Sequence, residues 1–316
     1  MKSNLAVFLL LICIIFLSCR KDIPLYRKYK STKVIVLIID GPRYQETYGR
    51  NDRKYIPFQN QMSKEGTLCT SFYNYGVTNT VNGHTAICTG NYESLNNSGL
   101  DVPSYPSYMQ YYIKNKKADK NKVWIIASKD KLQVLANTTN SEYKNKFMPQ
   151  TDCGINGLFT GYREDSITQF HVMTTLQSHH PDVLLVNYKE PDVSGHANNW
   201  GKYLLGIQNT DKYVHEVWDF IQNDPYYKDQ TTLIITNDHG RHDDGWKDGF
   251  VSHGDNCDGC RHISLLALGP DIKKNYVSTN DYSQIDITST IASIFQLQMP
   301  FVKGKLMEDI FMKNQK

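Results

Sequence analysis

The chain has 316 residues, 40% of them hydrophobic, enough for a large buried core, and its length fits one sizeable α/β domain or two small ones, of which one is expected. Lys and Arg total 35 against 32 Asp and Glu, and a formal net charge of +3 is too balanced for a surface that tracks nucleic-acid phosphates. A nucleic-acid partner is therefore not expected.

At the N-terminus, Lys2 precedes an apolar run over residues 5–17, which Ser18-Cys19 and the charged Arg20-Lys21-Asp22 end. The run falls short of the roughly 20 apolar residues of a membrane-spanning helix. A basic start, a short apolar stretch and a small residue before the break describe a secretory signal. Cys19 after Leu17-Ser18 resembles the bacterial lipobox, with Phe16 standing where an aliphatic residue is usual. That resemblance implies a signal peptide over residues 1–18, lipidation of Cys19, a basic tether over 19–32 and a domain over 33–316. The protein would then be exported to the periplasm or outer membrane and tied to the membrane by its lipid. A plain signal peptide cut nearby is the alternative.

Within the domain, short runs rich in Val, Ile and Leu recur at residues 34–39, 123–127, 183–186, 233–235 and 263–268. Their length and composition suit strands buried on both faces. Between them, apolar positions at helical spacing predict helices over 167–177, 203–223 and 285–295, and a further helix is expected over about 82–89. This alternation predicts an α/β fold with a mostly parallel central sheet sandwiched between helices.

The chemistry gathers where these strands end, which in open α/β sheets is where ligands bind. Asp40 follows the first run, Asp192 and His196 the third, and Asp238 and His239 the fourth, with His253 further on. Carboxylates and imidazoles in this number suit zinc and suffice for two ions. Thr80, just before the helix at 82–89, is the candidate nucleophile; an ordinary helix N-cap is its competing reading. The helix start would also offer backbone N–H groups and a positive dipole end to an anion. A threonine hydroxyl is a weak nucleophile at neutral pH, so a metal that lowers its pKa would supply the activation. Cys69, Cys88, Cys153, Cys257 and Cys260 remain in the domain. Cys257-Asp-Gly-Cys260 is read as a small loop disulfide or two free thiols, because half a zinc site would lack a second Cys pair.

Taken together, Asp40-Gly41, Thr80 before a helix ending in Cys88-Thr89-Gly90, Pro191-Asp192-x2-Gly195-His196, Thr236-Asn237-Asp238-His239-Gly240 and His253-Gly254 resemble the alkaline phosphatase superfamily. Their order and spacing most resemble its type I phosphodiesterase/nucleotide pyrophosphatase branch, from about Lys33 to the C-terminus. The resemblance implies an alkaline-phosphatase-like fold and a metal-dependent hydrolase with two zinc ions, or other divalent ions. One ion would be held by Asp40, Thr80, Asp238 and His239, the other by Asp192, His196 and His253. The substrate would be a small phosphate ester, cleaved through a phosphothreonine at Thr80. Val81-Asn82-Gly83-His84 departs from the branch's Phe-Pro-Asn-His, and Asn96 or Asn97 stands near its oxyanion-stabilising Asn. Ser128-Lys129-Asp130-Lys131 is similar to a segment of phosphonoacetate hydrolases, whose lysines receive an anionic substrate end. Lys129, Lys131 and Asn97 are accordingly candidate substrate contacts, and Tyr73, Tyr75 and Tyr92 candidates for an apolar slot.

A phosphomonoesterase, a phosphonoacetate-hydrolase-like enzyme and a non-catalytic zinc-binding surface lipoprotein stay as competing expectations. A sulfatase is set aside, since Cys88-Thr89-Gly90-Asn91-Tyr92 lacks that family's Pro and Arg. A cofactor-independent phosphoglycerate mutase normally has Ser and a longer chain. His242, His262, His179 and His180 are read as loop or packing residues.

Overall fold

The run at 34–39 lies within β1 (Lys33–Asp40), every residue of which is buried in the computed structural model, which describes residues 27–313. Val34, Val36 and Ile38 enter one apolar core and Ile35, Leu37 and Ile39 another, so successive side chains of one strand serve opposite faces of the sheet. This double burial explains a continuous apolar run where a half-exposed strand would alternate. Each such side chain is worth about 1.5–3 kcal/mol relative to leaving it in water.

In chain order β1 is followed by α1 (Pro57–Met62), β2 (Thr67–Tyr73), α2 (Thr80–Thr89), α3 (Tyr108–Lys116), β3 (Val123–Ala127) and β4 (Gln150–Cys153). Then come α4 (Asp165–His179), β5 (Val183–Pro191), α5 (Asp192–His196), α6 (Trp200–Asn223), β6 (Thr231–Asn237), α7 (Asp258–Arg261), β7 (His262–Leu268), β8 (Tyr276–Ser278), β9 (Tyr282–Ser283) and α8 (Gln284–Phe295). The sheet order is β4-β3-β5-β1-β6-β7-β2-β8, with β9 beside β2. Residues of α2, α3 and α8 line the core of one face, and those of α4 and α6 the other. The mostly parallel sheet between helices is as expected from the sequence.

One strand departs from it. β7 runs antiparallel to both β6 and β2, whereas β1, β3, β5 and β6 pair in parallel. Strand direction has no local signature in a short apolar run. The helices expected at 167–177, 203–223 and 285–295 fall within α4, α6 and α8, and α8 begins at Gln284 because Ser283 and Asp286 form a capping box.

The expected signal peptide, Cys19 and most of the expected tether lie outside the described residues. Where the tether is described, it is docked. The backbone N–H groups of Lys30 and Ser31 donate to the Asp271 carboxylate at 2.9 and 2.8 Å, and Thr32 donates to Gln230 O at 2.8 Å. Among the described residues, no helix is long and apolar enough to cross a membrane.

Candidate metal centre and its cleft

Three neighbouring parallel strands deliver the carboxylates. Asp40 ends β1, Asp192 follows β5 as the first residue of α5, and Asp238 follows β6; all three are buried. Asp238 Oδ1 accepts the backbone N–H groups of Gly41 (3.2 Å) and His239 (3.0 Å), which turns Oδ2 the other way. There it lies 3.4 Å from His239 Nε2, and His239 Nε2 lies 3.5 Å from Asp40 Oδ1. His239 Nδ1–H donates to Gly240 O at 2.9 Å, so Nε2 carries the lone pair. Asp238 Oδ2 and His239 Nε2 are buried without a hydrogen-bond partner. A buried carboxylate oxygen and an imidazole lone pair aimed at each other are a poor arrangement by themselves and a good one around a cation.

The second group is built on one face of α5, where Asp192 and His196 stand four residues apart. His196 Nε2 and His253 Nε2 each lie 3.3 Å from Asp192 Oδ1 and 3.0 Å from one another. His253 Nδ1–H donates to Thr78 O at 2.8 Å, so its Nε2 also offers a lone pair. The rings of His239 and His253 stack at 3.7 Å, which brings the two groups together. The donor sets of Asp40, Asp238 and His239, and of Asp192, His196 and His253, fit divalent ions.

Thr80 is the first residue of α2 and is not its cap. Asn79 takes that place, its Oδ1 accepting from Asn82 N at 3.1 Å. The anion-binding role expected of the helix start is reduced accordingly, since Val81 N–H donates to Asn97 Oδ1 (2.9 Å) and Gly83 N–H to Asn79 O (2.9 Å). The Val81 bond orients Asn97. Its oxygen is used by Val81 and by Lys131 Nζ at 3.3 Å, leaving the amide N–H groups for the cleft, whereas Asn96 is exposed. Asn82, in the departing tetrapeptide, donates to Leu95 O at 3.0 Å and accepts from Leu95 N at 2.7 Å, tying this loop to α2.

Lys129 sits between the two groups. Its Nζ is 2.9 Å from Asp40 Oδ1, 2.6 Å from Asp192 Oδ2 and 3.1 Å from Thr80 Oγ1. Burial opposes its charge, but Asp192, Asp40 and Asp238 outweigh that and hold it protonated. Burial also opposes the Asp192 carboxylate, yet Lys129, His196, His253 and Arg241 keep it well below the usual range. Asp40, by contrast, is pushed well above it by burial and by Asp238. Burial lowers His239 to about 3, so the ring is neutral, as a metal ligand must be.

An open cleft of about 380 Å³ exposes Thr80, Asn97, Lys129, Lys131, Asp192, His196 and His253, with Tyr162 on its wall. Lys131 is lowered to about 8 by burial and by Lys129. Tyr73, Tyr75 and Tyr92 do not line it: Tyr73 stacks on Tyr75 and His262, and the Tyr92 hydroxyl accepts from Tyr75 N. His262 packs as expected, stacked on Tyr44 at 3.8 Å. Cys88 lies fully buried within α2, and burial pushes its thiol up, the opposite of what a nucleophile needs.

Arg241 escaped the sequence reading. It is fully buried, its Nη1 pairs with Asp192 Oδ1, and its Nη2 donates to Val251 O at 2.6 Å. It thus fixes Asp192 against the loop that carries His253. Its only sequence signal is its place directly after Asp238-His239-Gly240.

A sequence profile of the Metalloenzyme superfamily matches residues 32–299, which contain every residue of this centre. The chain belongs to that superfamily. Over 120 residues it is 28% identical to the 2,3-bisphosphoglycerate-independent phosphoglycerate mutase of Gracilaria tenuistipitata var. liui, a stretch covering 37% of this chain and 22% of that enzyme. Solved structures share its fold at low identity. A phosphonate monoester hydrolase from Silicibacter pomeroyi superposes with a TM-score of 0.67 at 14% identity, covering 90% of this chain and 77% of that one. Murine ectonucleotide pyrophosphatase/phosphodiesterase 5 gives 0.61 at 14% identity, covering 89% and 100%. A protein in the alkaline phosphatase superfamily from Vibrio parahaemolyticus gives 0.60 at 15% identity, covering 88% and 70%. The alkaline-phosphatase-like fold implied by the motifs is the fold observed.

Proposed function

We propose that this metalloenzyme-superfamily chain is a two-zinc hydrolase of small phosphate esters with Thr80 as its nucleophile. The observation that carries this reading is the position of the Thr80 hydroxyl, at the cleft and 3.1 Å from an ammonium that itself touches Asp40 and Asp192. Divalent ions held by Asp40, Asp238 and His239, and by Asp192, His196 and His253, would supply Lewis acidity that acidifies the hydroxyl and neutralises phosphoryl charge. Thr80 Oγ1, its proton lost to solvent, bonds to phosphorus as the ester oxygen departs. The Asn97 amide would face the non-bridging oxygens, with Lys129 holding Asp40, Asp192 and the Thr80 hydroxyl in place beneath them. Water then cleaves the phosphothreonine from the opposite side and restores the hydroxyl.

The resemblance points to phosphodiesters. Lys131, whose ammonium faces the same cleft beside Asn97, favours instead a second anionic charge on the substrate, as in a monoester or a carboxyl-bearing phosphonate. The zinc-loaded protein should be assayed on nitrophenyl phosphate, the matching diester and phosphonoacetate, with Thr80→Ala beside it. Turnover lost in the variant supports the nucleophile, and full activity in Thr80→Ala removes it. Zinc binding without turnover of any of these substrates would favour the binding-only lipoprotein. Export and lipidation at Cys19 are proposed from residues 2–22 alone, and incorporation of labelled fatty acid by native chain but not Cys19→Ala tests them.

A further inference from the structure

The loop between β6 and β7 holds a second gathering of ligand-type atoms apart from the cleft. His242, Asp255, Cys257 and Cys260 each contribute an atom to a cluster in which all four lie within 4.8 Å of one another. The sequence shows only the Cys pair, and folding adds the other two. His242 is 3% exposed and Cys260 is fully buried. His242 Nε2 is buried without a hydrogen-bond partner and lies 3.2 Å from Asp255 Oδ2. The thiols are not joined.

From this geometry we propose that His242, Asp255, Cys257 and Cys260 form a structural zinc site, distinct from the metal centre at the cleft. Four ligands of this kind complete a closed tetrahedral shell and leave no position for a substrate. Two thiolates favour zinc over magnesium or calcium, which take oxygen ligands. Surrounding contacts orient the donors. His242 Nδ1–H donates to Asp248 Oδ1 at 2.7 Å, the carboxylate–histidine pairing that aims the other ring nitrogen at a metal. Asp255 Oδ1 accepts from Cys257 N at 3.0 Å, leaving Oδ2 for the site, and Cys257 Sγ accepts from Cys260 N at 3.4 Å. Lys247, half exposed, pairs with Asp255 Oδ2 and would give way to the ion. Binding displaces the two thiol protons to solvent.

The site would clip the loop at both ends. Residues 243–254, including His253, lie between His242 and the other three ligands. The Cys257–Cys260 turn also presses on the motif that carries Asp238 and His239. Gly240 N–H donates to Cys260 O at 2.8 Å, and a Cβ on Gly240 would fall 2.1 Å from Gly259 O. A zinc here would hold Arg241 and His253 at the positions the cleft requires.

The test reads thiolate ligation and not turnover, so it stands or falls apart from the phosphoesterase reading. The full chain, purified under reducing conditions and loaded with cobalt, should show a near-ultraviolet thiolate-to-cobalt band, which oxygen and imidazole ligands at the cleft do not produce. Thr80→Ala should keep the band, while Cys257→Ser/Cys260→Ser should lose it and bind one zinc ion fewer per chain. Should that variant fail to fold, zinc-dependent protection of Cys257 and Cys260 from alkylation in the native chain gives the same reading. Absence of the band in the native protein, or a Cys257–Cys260 disulfide formed in the presence of zinc, would overturn the site.

Discussion

Gly83 in α2 lies directly against Asp238: a Cβ at Gly83 would fall 2.3 Å from the Asp238 carbonyl oxygen. That carbonyl is also held by Asn74 Nδ2 and Gln284 Nε2, so it cannot retreat freely. Gly83→Ala should therefore push α2, with Thr80, away from the Asp238 turn. A loss of about 1–3 kcal/mol is expected from overpacking of this kind, together with weaker zinc binding. Denaturant unfolding and a zinc-chelator competition check the two effects.

Lys129 is the ammonium nearest the buried Asp40 and Asp192 carboxylates. Lys129→Met removes it and leaves Asp40 without its ammonium and Asp192 with Arg241 alone as a permanent cation, at about 3–5 kcal/mol. The deficit should be largest in chelator and should shrink when zinc is added, because the ions then supply positive charge. Unfolding curves of both proteins with and without zinc measure this. An equal deficit under the two conditions would show that Lys129 does not share the carboxylates with a metal.

Arg241→Ala frees Asp192 Oδ1 and detaches the Val251 carbonyl. Partners that orient ligands typically contribute about 10–100-fold in metal affinity, and a loss in that range is expected here. Zinc titration of the metal-free variant against the native protein provides the measurement.

Asp211 gives a pH signature. Its carboxylate accepts the backbone N–H groups of Phe58 and Gln59 at 2.9 Å each, at the start of α1, yet burial dominates and raises its pKa to about 6. The folded state thus binds this proton more tightly than the unfolded chain, whose carboxyl titrates near 3.9. The associated stability is fully present below that value and is lost as pH rises towards 6, on the order of 2–3 kcal/mol in all. Asp211→Asn, although less stable overall for the lost acceptor, should lack this decline. Urea unfolding of both proteins between pH 4 and pH 7 gives the difference.

How much of this was legible in the sequence depended on whether the determining interaction was local. β1, β3 and β6 were readable because burial on both faces leaves an unbroken apolar run. β2 was not, because its Thr70 and Ser71 sit half-buried where the register shifts against β7. The gathering of Asp and His residues could be read from their places at or after strand ends, since the parallel sheet forces those ends together. Arg241 was hidden because its partner Asp192 is distant in sequence and a charged residue after a motif has no pattern of its own. His242 and Asp255 were hidden for the same reason: the loop must close before they meet Cys257 and Cys260.

The docking of residues 30–32 fixes where this segment meets the sheet. That segment is bonded to Asp271 and Gln230 beside the start of β1, while Asp40 stands at its other end. At about 3.3 Å per residue, the strand separates the two by roughly 25 Å. Residues 30–32 therefore meet the sheet at its base. The Asp and His residues of the candidate metal centre gather at the opposite ends of the strands, away from that docked segment.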